Sequence, residues 1–428
     1  MQARPETGPD LQLGHLERSQ TTMNTIHTVV PESISPTDSS GRHYFPWDEP
    51  GFALDPYPWY ARALAHAPLI YDDLGFYVLS RYHDVMAYGK HPAMSVEPGW
   101  EQAGPWSVAR DTVIGRDLPD HTRLRRQTNK WFGPKIVDRW TETTATVVSS
   151  ILDSSPDGIL DGWHDLSVIP THRTMCRVLG VPDDDHADVQ EAMSETMPMM
   201  AAKPATGAVD RAAAGFDELG IRVNALIADK QANPGDGLLD SLLTAVDRDE
   251  ITIDEARATA LMLYGLGHMD VGYLIAAGLN IFAARPDVYD RYRESVDLRD
   301  SIINEIVRFD PPELCFYRVT TSPVTIRSVD IPTGSKVRFM IAAANRDPEV
   351  FDNPDTFEVS RPPRESRNLS FGMGPHTCAG QYISRAQARA VFDQLAHRFR
   401  RIEHVDEPQM DNTDFSRHFT SLTLRLVE

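Results

Sequence analysis

A single segment limits the fold more than any other. Thr252-Ile-Asp-Glu255 has the spacing of a capping box, and Pro286 is the next strong helix breaker, which predicts one uninterrupted helix between them. It would hold about 33 residues and run roughly 50 Å. From Ala258 to Ala284 the segment is apolar on most sides. A helix apolar all round is buried, so this one must cross the interior of a domain large enough to enclose it. Gly265, Gly267 and Gly272 interrupt its middle, each costing about 1 kcal/mol relative to alanine. Two explanations stand open. Either a cofactor or a local bulge needs the room, or neighbouring helices pack there.

The 428 residues and 41% hydrophobic content allow one large enzyme domain or two to three average ones. No run approaches the ~18–20 apolar residues of a membrane span, and the polar N-terminus lacks the order of a signal peptide. Three cysteines without a pairing pattern indicate a reducing compartment, so the expectation is a cytoplasmic protein with no membrane contact. A net charge of −20 argues against nucleic acid as a partner. Residues 1–42 are rich in Ser, Thr, Pro, Gly and charge without an apolar period. They read as a disordered tail, with Met23 a candidate start. Residues 43–428 show no linker and no repeat, and read as one mostly helical domain. Val324-Thr-Ile-Arg and Lys336-Val-Arg-Phe-Met-Ile are strand signals.

The segment Leu369-Ser-Phe-Gly-Met-Gly-Pro-His-Thr-Cys-Ala-Gly-Gln-Tyr-Ile carries the chemistry. A glycine-loosened turn with one histidine precedes a lone cysteine, and a helix-like run begins just after it. Glycines let the backbone approach a flat cofactor, and a helix N-terminus favours ionised sulfur. Two plainer readings compete. An unreactive cysteine would leave the glycines and histidine unexplained. A zinc site would need two more nearby ligands, and Cys176 and Cys315 stand in unrelated contexts.

The pattern Phe371-x-x-Gly374-x-His376-x-Cys378-x-Gly380, with Gly372 inside it, resembles the haem-binding loop of the cytochrome P450 superfamily. The resemblance extends from about Tyr44 to the C-terminus. It implies a mainly α fold with small β-sheets, a long central helix over the haem, and Cys378 as axial ligand of the iron. His121-x-x-x-Arg125, Arg318 and His376 match the family's propionate contacts; buried carboxylates require such cations. Glu305-Ile-Val-Arg308 resembles the family's Glu-x-x-Arg helix, with Arg361 the candidate third member of an ion network bracing the cysteine loop.

One departure stands out. The family's long helix usually carries an acid–threonine pair that organises water beside the oxygen. At the corresponding separation before Glu305 the chain reads Gly267-His268-Met269-Asp270-Val271. A thioether replaces the acid, and a carboxylate replaces the alcohol. Four readings of Asp270 remain open: a proton relay with its pKa raised by an apolar pocket, a substrate contact, a sign of peroxide-dependent or unusual oxidative chemistry, or an acceptor for hydrogen bonds from the loosened helix backbone. Gly267, Met269 and Asp270 are the candidate catalytic residues.

The resemblance further implies haem b, O2 and electrons from NAD(P)H through a separate ferredoxin and ferredoxin reductase. Arg123, Arg126 and Lys130 are candidate docking residues for an acidic ferredoxin. Leu266, Val271, Leu314, Phe316, Phe419 and Thr420 are expected to line the substrate cavity. The Trp100–Val108 segment would form a loop over the haem, and Met193, Met197, Met199 and Met200 a lid. The expected activity is insertion of one oxygen atom into a small apolar or aromatic substrate by a monomeric enzyme, as hydroxylation or O-demethylation. The alternatives are a peroxide-using or oxidative-coupling enzyme of secondary metabolism, and a non-catalytic haem sensor.

Overall fold

The computed structural model describes residues 34–100 and 103–428. The first 33 residues of the expected tail, and Glu101 and Gln102 of the expected haem-covering loop, lie outside the described residues. Residues 34–42 are ordered, which moves the expected domain boundary. Ile34 is buried, and Thr37 bridges His43 in antiparallel fashion.

The central helix runs Ile253–Ala284. Thr252 Oγ1 accepts from the Glu255 N–H at 3.1 Å, and Glu255 Oε2 accepts from the Thr252 N–H at 2.8 Å. Pro286 ends it and opens the next helix, Pro286–Glu294, at a position that needs no N–H. By length and hydropathy the central helix could cross a membrane, but most of it is buried inside the fold. Around it pack Ile169–Leu179, Ala208–Ala232, Arg299–Phe309 and Gln381–Arg398.

Its glycines answer to packing. A β-carbon at Gly265 would lie 2.4 Å from Met193 Sδ, and one at Gly267 2.8 Å from Met175 Cε. At Gly272 the nearest neighbour is the Trp163 ring, at 3.5 Å. At Gly265 and Gly267 the missing side chains therefore admit neighbouring side chains, whereas Gly272 leaves room for a β-carbon, and the helix continues unbroken through all three positions.

A five-stranded sheet takes the order Leu69–Tyr71, Phe76–Leu79, Lys336–Phe339, Phe316–Thr320, Met94–Ser95. Only Phe76–Leu79 with Lys336–Phe339 is parallel. A three-stranded sheet joins Ile159–Asp161, Thr423–Val427 and Arg401–His404. Val324–Ile326 pairs with Val329–Ile331 as a small hairpin. Both sequence-predicted strands are present, each shorter than the apolar run suggested.

Candidate active site

The cysteine loop owes its shape to two glycines with positive φ, Gly372 at 69° and Gly374 at 68°. At Gly374 a β-carbon would also meet Lys90 Cβ at 2.6 Å. The turn closes through the Cys378 N–H, which donates to the Phe371 carbonyl at 2.8 Å. Phe371 is held under the Arg385 guanidinium, 4.2 Å from its centroid. Gly380 caps the helix Gln381–Arg398, and its N–H donates to the Cys378 sulfur.

Cys378 shows open surface, yet the fold surrounds it enough that burial pushes its thiol up to about 11. The sulfur is thus accessible although protein surrounds it. The Gly380 N–H and the Arg125 charge favour the thiolate, whereas Asp270 and Glu313 oppose it. A bound metal ion would settle that balance, because a coordinated thiol loses its proton.

The remaining haem-contact candidates gather beside this loop. The His121 and His376 rings lie 4.5 Å apart, and His376 Nε2 is 3.8 Å from Asp117. His121 Nε2 is buried without a hydrogen-bond partner, and burial lowers its pKa to about 4. Arg125 donates to the Thr377 carbonyl at 2.7 Å. Arg318 donates to its neighbour's carbonyl, on Tyr317, at 2.7 Å and covers the Phe316 ring. Burial brings its pKa down to about 10. An orphaned imidazole nitrogen and a desolvated guanidinium beside an open sulfur are the donor set that a carboxylate-bearing haem requires. The residues fit the group.

Glu305, Arg308 and Arg361 lie in one ion network. Arg308 makes two 2.7 Å bonds to Glu305, and Arg361 Nε reaches the same carboxylate at 2.9 Å. Arg308 also donates to the Asn345 and Pro354 carbonyls, and Asn345 Oδ1 accepts from the Leu369 N–H at 2.7 Å. This ties the ion network to the start of the cysteine loop.

Opposite Cys378, the central helix turns Leu263, Leu266, Gly267 and Asp270 to partly open surface while its flanking residues are buried. Their i, i+3, i+4, i+7 spacing is one helical face. Met269 and Val271 lie off that face in the core, which corrects the reading of Met269 as a cavity residue in the acid's place and of Val271 as a substrate contact. Asp270 is enclosed enough for burial to raise its carboxyl to about 6.

The other cavity assignments change as well. Leu314 is fully buried, whereas its neighbour Glu313 keeps open surface. Burial, and then the Asp270 charge, hold Glu313 well above the ordinary carboxylate range. The reason is local: Glu313 bridges Ser416, and the Leu314 N–H donates to the Phe415 carbonyl at 2.7 Å. This turns Leu314 into the core. Phe316 stacks on Phe339 at 4.9 Å, supporting Arg318. Phe419 stacks on Tyr273 in the core, and Thr420 is exposed at the surface. Neither belongs to the face around Asp270. Glu313 escaped sequence reasoning because a strand-like alternation through Leu314 and Phe316 hides it; the signal was a lone acid between Pro-Pro and an apolar run.

Three further expectations are redirected. Arg123 is engaged by Glu255 at 2.8 and 2.6 Å and by Asp120 at 3.1 Å, so it is not free to dock a partner. Arg126 and Lys130 remain exposed. Of the lid methionines, Met193 and Met197 are core residues, and Met199 and Met200 are half-buried. Trp106 is buried, with its Nε1–H donated to the Thr196 carbonyl at 3.0 Å.

This arrangement, an open cysteine sulfur on a glycine turn beneath a long central helix, defines a haem-thiolate enzyme. The chain belongs to the cytochrome P450 family, whose model matches residues 125–425, and it is an oxidoreductase of the monooxygenase kind. It is 29% identical over 356 residues to vitamin D(3) 25-hydroxylase of Pseudonocardia autotrophica, covering 80% of this chain and 86% of that one. To the cytochrome P450 monooxygenase PikC of Streptomyces venezuelae it is 28% identical, covering 81% and 84%. The solved structure of CalO2 superposes with a TM-score of 0.81 at 26% identity, over 89% of this chain and 98% of that one.

Proposed function

We propose that the protein inserts one oxygen atom of O2 into a small organic substrate, with electrons delivered from NAD(P)H by a ferredoxin and its reductase. The observation that carries this reading is the accessible Cys378 sulfur on its glycine turn, within the field of Asp270 on the partly open Leu263–Asp270 face of the central helix. Haem, when bound, supplies the redox chemistry of oxygen activation, with the anionic sulfur as the protein's electronic lever.

The chain's own residues position and supply protons. His121, Arg125, Arg318 and His376 would hold the propionates, and Cys378 the iron. Asp270 and Glu313 are both enclosed carboxyls, and Glu313 lies in the Asp270 field. Burial raises both carboxyls, and the Asp270 charge raises Glu313 further. That pair replaces the family's acid–alcohol device as the local proton store. Leu263 and Leu266 give the cavity its apolar wall.

The relatives named above include a vitamin D(3) hydroxylase and PikC, in keeping with a small-molecule substrate. A role in secondary metabolism, a cytoplasmic location and a monomeric state complete the proposal. The test is product formation by the haem-loaded enzyme with NAD(P)H, ferredoxin and reductase. A second reading, peroxide-dependent turnover, draws on the missing alcohol at Asp270. Activity with hydrogen peroxide alone, and none with the reductase system, would select it.

A further inference from the structure

We infer that a histidine cluster behind the Asp270 face is an acid-sensitive latch, which joins four helices while its imidazoles are neutral and lets them part when a proton arrives. His268 lies on the central helix and His172 on the helix Ile169–Leu179. Both are fully buried, with ring centroids 5.1 Å apart. His186 opens the helix His186–Thr196, and its ring is 6.4 Å from that of His172. Asp185, the residue before it, brings in the fourth helix. Its carboxylate accepts from Arg222 of Ala208–Ala232 at 3.0 Å and from the Tyr264 hydroxyl of the central helix, and it lies 3.6 Å from His172 Nε2. The cluster therefore sits at the junction of all four. The same helices fill the central glycine notches, Met193 at Gly265 and Met175 at Gly267.

Hydrogen bonding fixes the neutral form. His268 Nε2 is 3.3 Å from Gln190 Oε1, whose amide is oriented by donating to Ser194 Oγ at 3.1 Å. That acceptor places the imidazole proton on Nε2. Nδ1 of His268 is then bare, and it is buried without a hydrogen-bond partner, as are Nδ1 of His172 and of His186. A second proton at His268 would create a charge that the fold does not compensate. Burial, then the His172 charge, bring its pKa down to about 3, against the Tyr264 carbonyl, which favours the proton. Burial, then the His164 and His172 charges, lower His186 as well. The charged groups facing the cluster are engaged elsewhere. Arg222 is divided among Asp185, Asp188 and Glu218, Arg173 faces Asp183 at 3.8 Å, and His164 holds Asp165 at 2.9 Å. Asp184 is exposed, and Cys176, 3.2 Å from His172 Nε2, is kept a neutral thiol by burial. Of these acids only Asp185 lies against a buried imidazole, and Arg222 and Tyr264 already engage it. Since the folded value of His268 lies below the ordinary value of about 6.5, the latch is fully closed above that pH and weakens as pH falls. Opening it would withdraw Met175 and Met193 from the helix that carries Asp270.

Hydrogen exchange of the haem-loaded enzyme, followed by mass spectrometry from about pH 7.5 to about pH 5, tests the latch across the histidine range. After correction for intrinsic exchange, the opening constant of peptides covering Ile169–Leu179 and His186–Thr196 should rise about tenfold per pH unit below about 6.5, the linkage for one proton. The strand Lys336–Phe339, outside the latch, should show no such rise. His268→Gln keeps a donor towards Gln190 but takes up no proton, so the rise should flatten, and His186→Gln should reduce it in part. Unchanged protection of the wild type over this range would overturn the inference. So would an equal rise in the control strand, or one that survives both substitutions. Histidine-labelled NMR of the wild type decides the matter should a variant not fold. A neutral His268 protonated at Nε2 for as long as the helices stay protected is the expected result, and an imidazolium there with protection intact would overturn the latch.

Discussion

Arg123 grips Glu255 through two hydrogen bonds, of 2.8 and 2.6 Å, and thereby ties the basic helix Asp120–Phe132 to the first turn of the central helix. Glu255 is already the capping residue of that turn. One carboxylate thus serves the longest helix and its neighbour at once. Arg123→Ala should lower unfolding stability by about 1–2 kcal/mol, the range for charged hydrogen bonds discounted for a half-exposed arginine. Urea denaturation measures it.

The same pair sets a pH dependence. The Arg123 hydrogen bonds hold Glu255 below the ordinary carboxylate range. Its contribution is fully present above the unfolded value of about 4.3 and is lost as pH falls through the lower folded value. The stability difference between wild type and Arg123→Ala should therefore be constant near neutrality and shrink in acid. A difference that grows in acid would contradict the assignment.

With Arg123 occupied, reduction by an acidic ferredoxin should depend on the exposed Arg126 and Lys130. Arg126→Glu should slow first-electron transfer at low salt, and the gap to wild type should close as salt screens the encounter. Stopped-flow reduction at two ionic strengths checks this. An Arg126→Glu rate equal to wild type at low salt would place the partner elsewhere.

Glu305 answers to two arginines in a buried setting. Glu305→Gln removes the charge both guanidinium groups face, and breaking a buried pair of this kind costs about 3–5 kcal/mol. The expected outcome is poor haem retention together with early unfolding, read as the Soret-to-protein absorbance ratio and a melting curve. Full haem content would show that the network does not brace the loop.

Asp270→Asn keeps the shape of the cavity wall but removes its titration. Turnover should fall by about 10²-fold, the low end for a lost acid–base group, with less product formed per reductant consumed. Unchanged turnover and unchanged coupling would remove Asp270 from proton supply.

Much of this was legible in the sequence because it rests on local rules. Thr252, Glu255 and Pro286 delimit the central helix by capping and backbone chemistry alone. Gly372, Gly374 and Cys378 lie in one short stretch, and Glu305 and Arg308 meet within a single turn. What was hidden depends on tertiary partners. The glycines of the central helix look like room for a cofactor until Met193 and Met175 are seen against them. Helical phase turns Met269 and Val271 away from the Asp270 face. A distant bridge to Ser416 decides that Glu313, and not Leu314, faces the cavity. Arg123 looks like a free cation because Glu255 is far along the chain.

The most direct test is the reduced carbon-monoxide spectrum of haem-loaded wild type beside Cys378→Ser. A thiolate signature in wild type that disappears in the variant is the predicted result. The same spectrum from both proteins, or the signature of histidine ligation in wild type, would contradict the account.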